Sequence, residues 1–313
     1  MLITSITEDV LDLPDAQRFA LLGVDESAPA GGRVFAILDA GVLVNLVELA
    51  ESRGAVGKCL FKGDLAEELQ DQAPYLFALG AEDKFTENVL GFSKTPWHFW
   101  GRGGALFFTS DADLEDVYAH WRKFTRVKDV RDKFYYFRFW EPDMLLSFLE
   151  ACTADELQGF FGGDLISDLY LPLRGGDRVA KVRLETPQAD ARGRAFPIRT
   201  EHFNAFAAVA WSRFLTEMMA HTRSEFGGVV QGVEDDALRA RIDDLLRRAH
   251  GSYGLTQTGP QKVFLETALE FGDDFDTALP WASKVLRSPN YSGQMPRARA
   301  LQKRAAAHVD IEA

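Results

Sequence analysis

The sequence predicts two lobes: an N-terminal α/β lobe built on a mixed sheet with flanking helices, and an all-α C-terminal lobe. Three observations carry this. Apolar strand-like runs alternate with helical periodicities as far as about Trp140. After Arg199 the periodicity is helical throughout. Between them, the chain is rich in Arg, Gly and Pro. The expected organisation is therefore residues 1–170, a junction at 171–198, and a helical lobe at 199–313.

The elements follow in order. The first thirty residues are mixed and end in "SAPAGGR", a loop by composition. "RVFAILDAG" reads as a buried strand that leaves at Asp39. Val42, Leu43, Leu46, Val47 and Leu49 then keep helical spacing. "GKCLFKG", "APYLFALG" and "GGALFFTS" read as further strands, with a short polar helix at "DLAEELQDQ". Ser110 and Asp113 are spaced as a capping box for the next helix, whose stripe is Leu114, Val117, Tyr118, Trp121 and Phe124. "FYYFRFW", Phe134 to Trp140, is expected to be a fifth strand, and Pro142 a residue of the first turn of the following helix. Thr153 and Glu156 form a second capping-box pattern, and Gly162-Gly163 closes that helix. "RVAKVRL" alternates as one strand or half a hairpin. Beyond it, amphipathic runs stop at Gly227-Gly228 and Gly251.

Composition narrows the function. The 313 residues are 46% apolar, with 24 Phe, enough for a sizeable core. A net charge of −12 repels phosphate backbones, so nucleic acid is not an expected partner. Cys59 and Cys152 are far apart and make neither a disulfide framework nor zinc spacing. With no apolar run long enough to span a bilayer and no signal-peptide pattern, a soluble cytoplasmic protein without membrane contact is expected.

No catalytic constellation emerges. "GAVGKC" lacks the first Gly and the hydroxyl of a phosphate loop. "GRGGA" precedes a strand instead of following one, and "GFSKT" lacks the second Gly of a nucleophile elbow. None of the six histidines has metal-ligand spacing, and His98 sits between Trp97 and Trp100. "GDDFD" clusters carboxylates as a helix terminus or turn does. Neither a cofactor nor a metal is expected. In "FYYFRFWEPDML", strand alternation puts Tyr135, Phe137 and Phe139 on a core face and Phe134, Tyr136, Arg138 and Trp140 on the other. Arg138 then needs an acid, and Glu141 and Asp143 are the nearest. The result is a strand-to-helix corner built on Arg138, Glu141 and Pro142, and a possible partner surface.

These stretches, in this order and spacing, resemble the domain-of-unknown-function 4123 family, the adaptor chaperones of bacterial type VI secretion. "VFAILDAG" is similar to the family's opening strand, and "CLFKGDLAEELQDQAPYLFAL" to its next segment. "YYFRFWEPDMLLSFLEACTADELQGFFGG" is similar to its central motif, and "YGLTQTGPQKVFLETALEFGDDFD" to its helical tail. Arg138, Trp140, Glu141 and Pro142 carry over. Asp143 stands where the family has Arg, which reverses a charge. The resemblance implies a non-enzymatic chaperone that binds a type VI effector toxin and helps load it on a VgrG or PAAR spike protein. Trp97, Trp100, Trp140 and Asp143 are the candidate partner-binding residues. A hydrolase using His98 or a carboxylate in a cleft between the lobes, and a structural assembly component, are the alternatives.

Overall fold

A computed structural model describes residues 1–22 and 33–312. Most of the loop expected at Ser27–Arg33 lies outside them. The chain forms two compact units, Met1–Val209 and Ala210–Ala313.

The first unit is a seven-stranded sheet with helices on both faces. Its strands are β1 (Leu2–Thr7), β2 (Arg33–Asp39), β3 (Lys58–Cys59), β4 (Pro74–Leu79), β5 (Ala105–Ser110), β8 (Asp168–Leu173) and β9 (Arg178–Leu184). Their spatial order is β1-β9-β8-β5-β2-β4-β3. A separate two-stranded ribbon joins β6 (Arg126–Lys128) to β7 (Phe134–Tyr136). The helices are α1 (Asp15–Leu21), α2 (Leu46–Ser52), α3 (Asp64–Glu68), α4 (Lys84–Leu90), α5 (Leu114–Trp121), α6 (Pro142–Ala151) and α7 (Ala154–Phe161).

The α/β class is as expected, but every ladder in the sheet is antiparallel, so the sheet is not mixed. The alternation of strand and helix is still real. β4 and β5 run the same way, joined through α4, and β2 is inserted between them and pairs antiparallel with both. A split β-α-β unit of this kind gives the sequence rhythm of a parallel sheet without a parallel ladder.

β2 lies inside the sheet, between β5 and β4, and is buried on both faces, which explains its unbroken apolar run. Phe35 and Ile37 face α5, α6 and α7 in a cluster with Trp121, Phe148 and Phe160. Val34, Ala36 and Leu38 face α2 and α4 in a second cluster with Leu46, Phe85 and Val89. The 171–198 stretch is not a junction. β9 and half of β8 lie in it as a hairpin whose ladder completes the sheet, so it belongs to the first unit.

Of the two capping-box patterns, one forms. Thr153 and Glu156 make both bonds of a capping box, and Gly162 closes α7 in the left-handed region. Ser110 does not cap α5. Asp113 does, accepting from the Asp116 N–H at 2.9 Å, because Ser110 is still the last residue of β5 and its hydroxyl donates to the Leu165 carbonyl at 2.6 Å.

The second unit is helical: the rest of α8 (Thr200–Glu225), α9 (Asp235–Tyr253), α10 (Thr258–Phe271), α11 (Phe275–Ala278), α12 (Pro280–Leu286) and α13 (Gln294–Glu312). Leu238, Ile242, Phe264, Leu265, Phe275 and Leu301 are at the centre of its core. The "GDDFD" carboxylates are held structurally: Asp273 by Arg241, and buried Asp276 by Tyr253 and Arg248. Among the described residues, no helix is long and apolar enough to cross a membrane.

Candidate functional site

The corner at Arg138 is built on a residue from the far end of the unit's sequence. Asp39 ends β2, and its side chain is only 1% exposed. Its Oδ1 accepts from the Gly41 N–H at 2.9 Å. Its Oδ2 accepts from Arg138 Nη2 at 2.6 Å and from Trp140 Nε1 at 2.8 Å. Arg138 also reaches Glu141 Oε1 through Nε at 2.8 Å. One guanidinium therefore bridges a buried carboxylate and the N-cap of α6, a geometry that lysine cannot reproduce. Glu141 was among the two acids expected; Asp39 was not. A carboxylate closing an otherwise apolar strand was the available signal, since a buried acid demands donors.

The strand expected through Trp140 stops at Tyr136. Phe137 and Phe139 enter the core as alternation requires, against Phe148 and Trp121 at ring separations of 4.8 and 5.0 Å. Trp140 breaks the alternation. The chain turns at Arg138–Glu141, with the Glu141 N–H on the Arg138 carbonyl, and this carries the indole inward to Asp39. Trp140 is 2% exposed and Trp100 3% exposed, so neither is a surface anchor. Trp100 instead donates to the Gly176 carbonyl and stacks on Phe107, fixing its loop to the β8–β9 turn. Trp97 remains exposed at 49%. Pro142 takes the first turn of α6, as expected. Asp143 is exposed in the same turn. There its negative charge faces the positive end of the helix, which accounts physically for an acid at this position.

A second polar cluster was not read from the sequence. Arg199 donates to both Glu156 oxygens, at 2.6 and 2.8 Å, and to the Ala151 carbonyl. Burial pushes Glu156 up, but the Arg199 guanidinium and the Thr153 N–H outweigh it and hold the carboxyl at about 2. His202 Nδ1 accepts from the Arg199 backbone N–H at 3.1 Å, so Nε2 carries the proton. That nitrogen lies 3.5 Å from Glu156 and 3.6 Å from Cys152 Sγ. Burial holds His202 below its usual range and pushes the Cys152 thiol well up.

The ligand atoms of Cys152, Glu156 and His202 lie within 4.8 Å of one another, the spacing a metal ion needs. A metal would have to displace Arg199 and take the protons of both the thiol and Nε2. The same protons oppose nucleophilic use of Cys152, which faces a protonated nitrogen while the Glu156 carboxylate is committed to Arg199. The cluster serves better as a clasp, tying the start of α8 to α7.

The loop between α4 and β5 holds His98. Its Nδ1 is 2.9 Å from the Ser93 hydroxyl, which also meets Thr95 Oγ1 at 2.7 Å and accepts from the Thr95 N–H. Among the described residues no carboxylate hydrogen-bonds His98.

Among the described residues, the β6–β7 ribbon carries the most exposed aromatic side chain, Tyr136. Phe134 and Tyr136 are 48% and 64% exposed. Opposite them stand Lys128 and Arg126, with the Arg126 guanidinium 3.8 Å from the Phe134 ring centre. Arg138 follows directly in the chain.

No curated protein and no solved structure matches the chain. Residues 34–159, less than half of the chain but including Asp39, Arg138, Trp140, Glu141 and Pro142, match the family model described as "Domain of unknown function (DUF4123)", and over that segment the protein is similar to this family.

Proposed function

We propose that the protein is a non-catalytic adaptor of type VI secretion. It binds an effector toxin in the cytoplasm of the producing cell and helps load it onto a VgrG or PAAR spike protein. The family match supports this reading. The observation that carries it is the ribbon surface, where exposed Phe134 and Tyr136 are interleaved with Arg126 and Lys128. Aromatic and Arg side chains dominate the energetics of protein interfaces. Lys128 is paired with Asp132, but Arg126 meets no carboxylate among the described residues and is the cation that can take an acidic group of the partner at this face. The corner behind it is a firm mount, since Arg138 ties the buried Asp39 carboxylate to the N-cap residue Glu141.

The test is co-expression with the effector encoded beside this gene. The wild type co-purifies with it, and Phe134→Ala combined with Tyr136→Ala weakens capture at least tenfold without moving the melting temperature. Unchanged solubility and secretion of the effector after deletion of the gene overturns the adaptor reading.

A hydrolase is the second reading, and the Ser93–His98 hydrogen bond is what favours it. The serine is engaged by its own turn, and the histidine has no carboxylate to orient it. Labelling by a fluorophosphonate probe that is lost in Ser93→Ala decides for the hydrolase; its absence leaves the adaptor.

A further inference from the structure

The two edges of the main sheet are unlike. β3 is two residues long, which is a common protection against unwanted pairing. β1 is six residues long, "LITSIT", and Ile3 to Thr7 are exposed. It has no charge and no proline, and its register with β9 is unbroken from Leu2–Leu184 to Thr7–Val179. Every usual device for blunting an edge strand is missing within it.

The ladder fixes which backbone groups are free. The Glu185 N–H donates to the Met1 carbonyl at 2.9 Å, which makes that pair a hydrogen-bonded one. Antiparallel pairs alternate between hydrogen-bonded and not, so Ile3, Ser5 and Thr7 turn their N–H and C=O groups to β9. Leu2, Thr4 and Ile6 turn theirs outward, where no described strand of the unit pairs with them.

The two faces beside this edge differ in chemistry. Leu2 and Thr4 border a groove of about 550 Å³ whose far wall is Leu149, Ala154 and Leu157 of α6 and α7, with Glu150 and Cys152 beside them. On the opposite face, Ile3 is level with exposed Arg183, while Lys181, level with Ser5, turns its ammonium to Asp168 on β8 at 3.3 Å. A strand added to β1 would lie about 10 Å from β9, two strand spacings, so an acidic side chain on it meets Arg183 across Ile3.

We propose that β1 is a docking edge for an extended segment of another protein, added as an eighth strand. Its alternate residues are aliphatic and enter the groove against α6 and α7; an acidic residue between them meets Arg183. The outward groups of Leu2, Thr4 and Ile6 supply the backbone bonds, and the two faces supply selectivity. A second copy of the chain fits less well, because it brings its own Arg183 to the same side and its own charge of −12. β1 lies outside residues 34–159, and the inference does not depend on the adaptor reading.

The test uses a displayed library of random heptapeptides panned against the full chain. Enriched peptides carry aliphatic residues at alternate positions with an acidic residue between them, and a synthetic copy binds Thr4→Pro at least tenfold more weakly than the wild type. Thr4→Pro removes only an outward donor, so its melting temperature stays within a few degrees; Ser5→Pro breaks the β9 ladder and lowers it clearly. N-methylation of the peptide at one alternate set of positions abolishes binding, and at the other set does not. Exchanging its acid for lysine weakens it several-fold. The proposal is overturned if no peptide enriches, if enriched peptides bind Thr4→Pro equally well, or if sedimentation shows a dimer of the wild type that Thr4→Pro dissolves, which assigns the edge to self-pairing.

Discussion

Replacing Arg138 by Ala removes one of three donors from the Asp39 carboxylate and leaves Trp140 Nε1 and the Gly41 N–H. A hydrogen bond to a charged group contributes about 1.5–3 kcal/mol. The Arg138 side chain is 54% exposed, so water reaches part of the space it vacates. The expected loss is therefore in the lower part of that range, about 1.5–2 kcal/mol. In a unit of this size, each kcal/mol moves the melting temperature by about 2–4 °C, giving a fall of roughly 3–8 °C. The assay is urea and thermal unfolding of the wild type, Arg138→Ala, Asp39→Asn and the double variant. If the pair holds the corner, the double variant is less damaged than the sum of the singles, with a coupling of about 1 kcal/mol or more. Arg138→Lys recovers only part of the loss, since an ammonium cannot bridge Asp39 and Glu141 together in the same geometry. Additivity within about 0.5 kcal/mol refutes the reasoning, and an unchanged melting temperature with lost partner binding makes Arg138 a contact residue.

Two buried groups make stability fall in acid. Burial holds His120 neutral, down at about 4, while the unfolded chain takes the proton near 6.5, so its share of stability is lost as pH falls through that window. Glu156 is held at about 2 against 4.5, so its contribution is full above about pH 5 and drains away between 4.5 and 2; Glu156→Gln flattens the unfolding free energy across the lower window. Thr153→Ala removes the side-chain half of the α7 capping box and lowers stability by about 1 kcal/mol, measured by urea unfolding. Gly163→Ala is far more damaging: at φ +66° its new Cβ runs into the Gln188 carbonyl, and the expected result is loss of soluble, folded protein on expression. Cys152, pushed up by burial and by the Glu156 charge, is alkylated by iodoacetamide at pH 8 at least tenfold more slowly in native protein than in urea.

Much of the N-terminal unit was legible because its signals are local. The β2 run, the Thr153–Glu156 box, the Gly162 stop and the place of Pro142 each depend on residues within a few positions of one another. The errors came where local signals conflict with pairing. Ser110 looks like a cap, but the sheet claims it first. The Arg- and Gly-rich composition of 171–198 suggests a connection, while its alternation serves a β-hairpin that is anchored by partners distant in sequence. β1 was invisible, because an exposed edge strand of Ile, Thr and Ser buries no face and leaves no apolar pattern.

The sequence by itself determined the α/β character of the first unit, the helical character of the second, the core role of Phe137 and Phe139, and the need of Arg138 for an acid. These follow from periodicity and from the cost of burying charge, which are properties of short segments. Only the tertiary structure decided that the acid is Asp39 as well as Glu141, that Trp140 turns inward to share it, that Arg199 and His202 close on Glu156, and that no described strand pairs with the outer side of β1. Each of these depends on which distant segments become neighbours. A chain of one-dimensional preferences does not contain that information until the sheet order is set.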